Sequence, residues 1–532
     1  MVSEQQRRSF GPGKMLFLLS CTLVVGVRIG AEAWISEDAL ITFRTIDNFL
    51  QGYGLRWNID ERVQVATHPL WMLVNAALYS LTKEAYTTLV MLSLFLSMAA
   101  FWLGFRSLLH RPAAAFVLLF APWMLSKSLI LYGTSGFETP LSFMLLALFT
   151  NEALAQERTG RLRWGWSELY AGLIAVNRLD LILLLLPALG YRYLRHLPHA
   201  RWGRLLLGYS PAAFWYLFSV LYYGFALPNT VLAKLSAEIP LREYAREGIL
   251  YAADFVRWDP LGVFLVVVAV STAGILVFRC ARISPEQRSP NLAALGGGLL
   301  VYSAYVVAIG GDFLSGRFWA PVVFVSSLVA AFGAEVVLGP ATPNGRRTLV
   351  VAVACAVVFF LAASVLADHL GTCSRRGPTS SMDRSLAHIR LNHDLTWSMS
   401  ETAAAWYSRG LEFRRAAAEQ GRHVVTWGSL GFTGFAAGSG VTIIDVYALA
   451  DPLLSRLPLV DRTTWEIGHL RRPVPRGYLQ ARRTGSLASM DPPLAEYYQR
   501  LRLVVAGPIF DPARLRAIAG FHLGSYDHLL EQ

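Results

Sequence analysis

Two adjacent carboxylates, Glu37 and Asp38, stand directly after an apolar run, in Trp34-Ile-Ser-Glu-Asp-Ala-Leu-Ile-Thr-Phe-Arg44. A carboxylate poorly reached by water has a raised pKa and can serve as a general base. Three more occupy comparable settings: Glu138 in Gly133-Thr-Ser-Gly-Phe-Glu-Thr-Pro140, Asp180 in Asn177-Arg-Leu-Asp180, and Asp312 in Gly310-Gly-Asp-Phe-Leu-Ser-Gly-Arg317. Cations accompany them: Arg44, His68, Lys127, Arg178, Lys234 and Arg317. Such side chains hold phosphate by charge-assisted hydrogen bonds. A carboxylate base beside a phosphate clamp at a bilayer surface fits transfer of a group from a lipid phosphate. The plainer alternatives are solvated loop charges or helix caps for Glu138 and Asp180, and an internal Asp312–Arg317 pair.

The elements that must position these residues are membrane spans. The 532-residue chain has a mean hydropathy of +0.41 and is 54% hydrophobic and 16% charged, against about 25% charged in soluble proteins. That excludes an ordinary soluble globular protein. The apolar stretches 15–33, 87–105, 113–131, 139–155, 166–178, 181–190, 205–224, 260–278, 291–309, 318–339 and 348–367 predict eleven spans, two of them short. The first, preceded by Arg7, Arg8 and Lys14 and followed by no small-residue cleavage pattern, reads as a retained helix. The stretch 67–82 is ambiguous between a span and a surface helix. With it on the surface, the loops on the N-terminal side of the membrane hold 17 Lys and Arg and the opposite short loops hold 9. Excess positive charge marks the cytoplasmic side. The expectation is therefore a cytoplasmic N-terminus, with the 34–86 loop and everything beyond 368 on the opposite face. The net charge of +12 is first a topology signal, and no nucleic-acid partner is expected.

The chain divides into a membrane catalytic part, 1–367, and a tail, 368–532, expected to be a separate soluble α/β domain. Within the tail, 423–427 and 441–445 read as short buried strands and 399–420 as a helix. Gly428-Ser-Leu-Gly431 lacks the G-x-G-x-x-G spacing of a nucleotide loop and reads as a tight strand-to-helix turn. Asp451, His469 and Arg471 are the tail's candidate polar residues for an acceptor. The four cysteines, Cys21, Cys280, Cys355 and Cys373, form neither a disulfide framework nor a CxxC metal site.

Several segments, in order, resemble the GT-C class of membrane glycosyltransferases, and among them the bacterial arabinofuranosyltransferases of mycobacterial arabinan and type IV pilin glycosylation. They are Ser36-Glu-Asp-Ala-Leu-Ile-Thr-Phe-Arg44 with Gly52-Tyr-Gly-Leu-Arg-Trp-Asn58, Thr67-His-Pro-Leu-Trp71, Thr134-Ser-Gly-Phe-Glu-Thr139, Tyr222-Tyr-Gly-Phe-Ala-Leu-Pro-Asn-Thr230, and Gly310-Gly-Asp-Phe313 with Arg317-Phe318. Ile444-Asp-Val-Tyr-Ala-Leu-Ala-Asp-Pro452 and Ile467-Gly-His469 extend the likeness into the tail. The resemblance implies a GT-C fold, a polyprenyl-phosphate sugar as donor, a periplasmic glycan or protein as acceptor, and an inner-membrane location. It also implies a surface helix after the acidic loop and a catalytic carboxylate in the pair after the first span. Glu37 stands where the family usually has Asp, and His68 where it usually has Ser. The catalytic role is therefore placed on Asp38, with Glu37 beside it. Arg44, His68, Lys127, Arg178, Lys234 and Arg317 are the donor-phosphate candidates, and Glu138, Asp180, Asn229, Asp312 and His469 complete the candidate site.

The lipid-linked sugar is a co-substrate, and no metal or other cofactor is expected. D-arabinofuranose is the sugar the resemblance implies; mannose, aminoarabinose or a whole glycan stay open, because no residue is a dedicated sugar reader. A transporter or lipid flippase is the rival from another class. Against it, the charges gather on one side instead of at the midplane, and no inverted repeat is visible.

Overall fold

A computed structural model of the chain describes residues 11–109, 113–160, 163–279, 289–338, 388–391, 396–459, 461 and 465–530. The first part is helical: α1 (Pro12–Gly30), α2 (Glu37–Leu50), α3 (Pro69–Thr82), α4 (Ala85–Arg106), α5 (Ala113–Leu125), α6 (Lys127–Tyr132), α7 (Thr139–Thr159), α8 (Trp166–Asn177), α9 (Ile182–His196), α10 (Trp202–Tyr223), α11 (Asn229–Leu235), α12 (Leu241–Trp258), α13 (Pro260–Arg279), α14 (Pro290–Ala308) and α15 (Trp319–Leu338). Five of the described helices are long and apolar enough to cross a bilayer, namely α1, α4, α10, α13 and α14. The apolar part of α15 is shorter, and α8 and α9 run for 12 and 15 residues. The expected span 348–367 lies outside the described residues.

Local chemistry sets the boundaries that matter for the site. The helix α3 starts at Pro69, whose fixed φ suits a first helical position, and stops where Lys83 turns left-handed at φ 57. Its 14 residues span about 21 Å at 1.5 Å per residue, short of a bilayer core of about 30 Å. The next helix, α4, is started by Glu84, whose carboxylate accepts from the N–H groups of Tyr86 and Thr87 at 2.9 and 2.6 Å. The expected span 113–131 is broken at Ser126. There Asp259 Oδ2 accepts from the Ser126 hydroxyl at 2.6 Å and the Ser128 N–H at 3.0 Å, fixing the start of α6. The stretch 225–258, expected as one long loop, contains α11 and α12. The buried stripe of α12, Gly248, Tyr251, Phe255 and Trp258, recurs at spacings of three and four, which is a helical face.

The tail is built into the first part of the chain. Strand β1 (Trp34–Ser36) pairs antiparallel with β2 (His388–Leu391), Trp34 opposite Arg390, and β2 pairs with β3 (Trp397–Met399). Next come α16 (Glu401–Gln420), β4 (His423–Trp427), α17 (Phe432–Ala437) and β5 (Val441–Asp445), with β4 and β5 parallel and Trp427 opposite Asp445. Both strands fall where the sequence placed them, but only β5 is buried throughout, β4 burying Val424 alone, and the helix starts at Glu401, two residues later than expected. The helices α18 (Tyr478–Thr484), α19 (Pro492–Ala506) and α20 (Pro512–His522) follow. One apolar core joins Ile41, Trp57 and Val65 of the 34–86 loop to Leu430, Val441 and Ile443 of the tail.

Candidate active site

Glu37 and Asp38 occupy the first turn of α2, where free backbone N–H groups and the helix dipole favour negative charge. The strand leading in is fastened to the α6–α7 connection: Trp34 Nε1 donates to Leu131 O at 2.9 Å and Ser36 N to Ser135 O at 3.0 Å. Asp38 Oδ2 lies 3.7 Å from Arg317 Nη1, and the same Nη1 donates to Asp312 Oδ2 at 3.1 Å. Arg317 reaches this point because Gly310 and Gly311 turn the chain at φ +87 and +72, values glycine adopts without a Cβ clash. Its guanidinium lies 3.8 Å over the Phe137 ring, and its Nε is buried with no hydrogen-bond partner among the described residues.

A second charged cluster adjoins the first. Arg178 donates to Glu138 at 3.0 Å and to Asp180 at 2.9 Å, while Tyr302 donates to Asp180 at 2.9 Å. His68 Nδ1 sits 3.3 Å from Glu138 Oε2, and its Nε2 is 2.8 Å from the Thr42 hydroxyl. Burial alone would raise the Glu138 pKa, but His68, Arg178 and Arg317 outweigh it and hold the carboxyl at about 2. This cluster largely neutralises itself. Arg178 is committed to two carboxylates and to the Phe318 ring 4.5 Å away.

Beside these clusters is a cavity of about 840 Å³. Its lining includes the charged residues Glu138, Arg178, Asp180, Lys234, Asp312 and Arg317 together with apolar residues such as Ile182, Leu183, Trp215, Leu241 and Ile309. Lys234, exposed to this space, makes neither a hydrogen bond nor an ion pair through its ammonium among the described residues. Being surrounded by protein lowers its pKa, and Asp312 pulls the other way. The tail closes part of the cavity through Ile467, Gly468 and Leu470. His469, in that turn, is held between the rings of Phe313 and Tyr447, at 5.1 and 5.2 Å.

The two acidic neighbours differ. Burial, the Asp38 charge and Asp445 push Glu37 up to about 8, against the pull of the Gly431 N–H that donates to Glu37 Oε1 at 2.8 Å. Asp38 is also raised by burial, with Arg317 pulling the other way, and 28% of its side chain is exposed. Both acids are raised by burial, and Asp38 is the one with a cation, Arg317 Nη1 at 3.7 Å, placed to favour its anion; on that geometry it is the candidate base.

The structure thus gathers Asp38, Glu37, His68, Glu138, Arg178, Asp180, Lys234, Asp312, Arg317 and His469. Three expected residues stand elsewhere. The guanidinium of Arg44 is buried and donates to the carbonyls of Trp57, Gly434 and Val441 at 2.8, 2.5 and 2.6 Å. It joins α2 to the tail and is buried there, away from the cavity lining. Lys127 begins α6 and lies 6.0 Å from the Trp258 ring, off the cavity lining. Asn229 docks α11 on the tail by donating to Ala448, Leu449 and Asp451 carbonyls. In the tail, Asp451 holds the backbone of Leu453 and Leu454 and the Tyr478 hydroxyl. Gly428-Ser-Leu-Gly431 is the turn from β4 into α17, seated on Glu37 through Gly431. Sequence reasoning missed Phe137, Phe318 and Tyr302. The first two stand directly beside Glu138 and Arg317 in the quoted segments, a weak signal that an aromatic face supports the neighbouring charge.

Together these features describe a mostly helical, apolar protein with a charged site at a partly apolar cavity. Over 337 residues, 53% of this chain and 50% of the relative, the sequence is 26% identical to the terminal beta-(1->2)-arabinofuranosyltransferase of Mycobacterium tuberculosis. It is 28% identical over 335 residues, 53% of this chain and 46% of the relative, to the protein of the same name from Corynebacterium glutamicum. No family model matches the chain. The chain spans about half the length of the curated relatives it matches. The resemblance to arabinofuranosyltransferases read from the sequence segments is thereby supported over about half of the chain.

Proposed function

We propose that this chain is a GT-C glycosyltransferase of the bacterial inner membrane that moves D-arabinofuranose from a polyprenyl phosphate to a periplasmic glycan or protein acceptor. The observation that carries the reading is Asp38 standing 3.7 Å from Arg317, which itself lines a cavity bounded by both charged and apolar residues. The apolar residues suit a prenyl chain, and the cations suit the phosphate it carries. Lys234, whose ammonium has no partner among the described residues, and Arg317, which also lines the cavity, are the cations placed to bind that phosphate, since Arg178 and Arg44 are committed elsewhere.

In this mechanism Asp38 takes the proton of the acceptor hydroxyl as that oxygen forms a bond to the anomeric carbon. The bond from the anomeric carbon to the phosphate oxygen breaks, and polyprenyl phosphate leaves with the electron pair, its charge held by Lys234 and Arg317. The excess of Lys and Arg in loops on the N-terminal side of the membrane supports a cytoplasmic N-terminus and a periplasmic site. The names of the two relatives support arabinose over another sugar.

Purified chain in nanodiscs, given a synthetic polyprenyl-phosphate donor with labelled arabinofuranose, should release polyprenyl phosphate when acceptor is added. Arg317→Ala and Lys234→Ala should raise the donor KM far more than the acceptor KM. Movement of intact donor across the bilayer without bond cleavage would replace this reading with a transporter. Faster use of a mannose-bearing donor would replace the pentose.

A further inference from the structure

The last tail helix is apolar on two sides. Arg514, Ala517 and Ile518 of α20 are buried. On another face Leu515, Ala519 and Leu523 recur every four residues, and Leu515 is 40% and Leu523 81% exposed. Phe510, in the turn before α20, is 77% exposed, and Arg516 beside the outer stripe is exposed as well.

This face is fixed next to the end of α10. Arg514 donates from Nη1 to Leu221 O at 2.8 Å and to Ile509 O at 2.9 Å, and from Nη2 to Tyr222 O at 3.0 Å. The same guanidinium therefore grips the last turn of α10 and the residue before Phe510. His522, the neighbour of Leu523, lies 3.1 Å through Nε2 from Gly224 O, just past α10. The 22 residues of α10 run about 33 Å, enough to cross a core of about 30 Å. Its last turn then lies at headgroup depth, and Phe214 and Leu217, 73% and 61% exposed, face lipid.

We propose that Phe510, Leu515 and Leu523 dock the tail onto the bilayer surface beside α10, as an interfacial helix with Arg516 at headgroup level. Apolar residues at the acyl boundary with a cation above them are the usual composition of such helices. The occupant is the lipid of the leaflet on the tail's own side. A second protein is disfavoured because the gripped turns hold the patch at lipid depth. The proposal rests on the reading of α10 as a membrane span.

The test uses the full chain in nanodiscs with its four native cysteines replaced by serine. Single cysteines at Phe510, Leu523, Phe214 or Glu412 carry a fluorophore, and the lipids carry a quencher either high or low on the acyl chain. All four labelled sites are exposed, and an unchanged melting curve of the cysteine-free protein, in which buried Cys21 is replaced, shows that the fold is kept. The proposal expects the probes at 510 and 523 to be quenched by the shallow quencher more than by the deep one. The probe at 214 should respond to the deep quencher, and the probe at 412, on α16, to neither. Quenching at 510 and 523 no greater than at 412, with 214 quenched, overturns the docking alone. Absence of quenching at 214 overturns the span reading and the docking with it.

Discussion

Asp38 and Glu37 are neighbours in sequence, and their surroundings give them different work. Glu37 is boxed in by Gly431 and Asp445 and pushed up to about 8, whereas Asp38 has Arg317 at 3.7 Å to favour its anion. Glu37→Gln should therefore cost little turnover, measured as kcat at neutral pH. A fall as large as that of an Asp38 variant would contradict the assignment. Glu37 also sets a pH dependence of stability. Its folded pKa lies above its ordinary 4.5, so the folded state binds the extra proton, and stability falls as pH rises from about 4.5 towards about 8. The apparent melting temperature should decline across that window in wild type and decline less in Glu37→Gln; parallel curves would contradict the raised value. Glu138, held at about 2, acts the other way. It contributes stability above its ordinary value that is lost as pH falls towards about 2.

At the scale of elements, the site depends on how closely the N-terminus of α2 meets the turn before α17. A Cβ built on Gly431 would collide with the Glu37 carbonyl, so Gly431→Ala must shift the acid pair relative to Arg317. We expect a protein that folds and binds donor but has a much lower kcat; unchanged kcat would show that the α2–α17 contact does not position Asp38. Arg44→Met tests a different join. It removes the guanidinium from the buried carbonyls of Gly434 and Val441, while Trp57 O keeps the Asn48 amide; an unsatisfied buried group costs about 1–3 kcal/mol, so thermal stability should fall clearly. Loss of donor affinity without loss of stability would restore the phosphate role for Arg44. Much of this level was legible in the sequence, because long apolar runs and alternating strand residues impose their own period. What was hidden arose from tertiary contact. Periodicity cannot show that Asp259 breaks the expected span 113–131, that α12 turns an apolar stripe inward within an expected loop, or that the Arg44 fork is spent on carbonyls. The same limit holds inside the site: the motif residues Glu138, Asp312 and Arg317 were visible, but the pairing that leaves Lys234 free was not.

The whole molecule joins a membrane half to a tail that supplies part of the cavity. Trp57 and Val65 share a core with Val441 and Ile443, and β1 pairs with β2 across more than 350 residues of sequence. Removing 388–532 should therefore abolish transfer and also weaken donor retention, since Ile467, Gly468 and Leu470 line the cavity. Full donor affinity in the truncated chain would show that the tail serves the acceptor alone. The central claim is that Asp38 takes the acceptor proton in transfer from a lipid phosphate, and single-turnover kinetics of Asp38→Asn test it most directly. With purified protein in nanodiscs and saturating labelled donor, the account predicts that the variant keeps donor binding while the transfer rate drops by about 10²–10⁴-fold. Wild-type transfer by Asp38→Asn would contradict it.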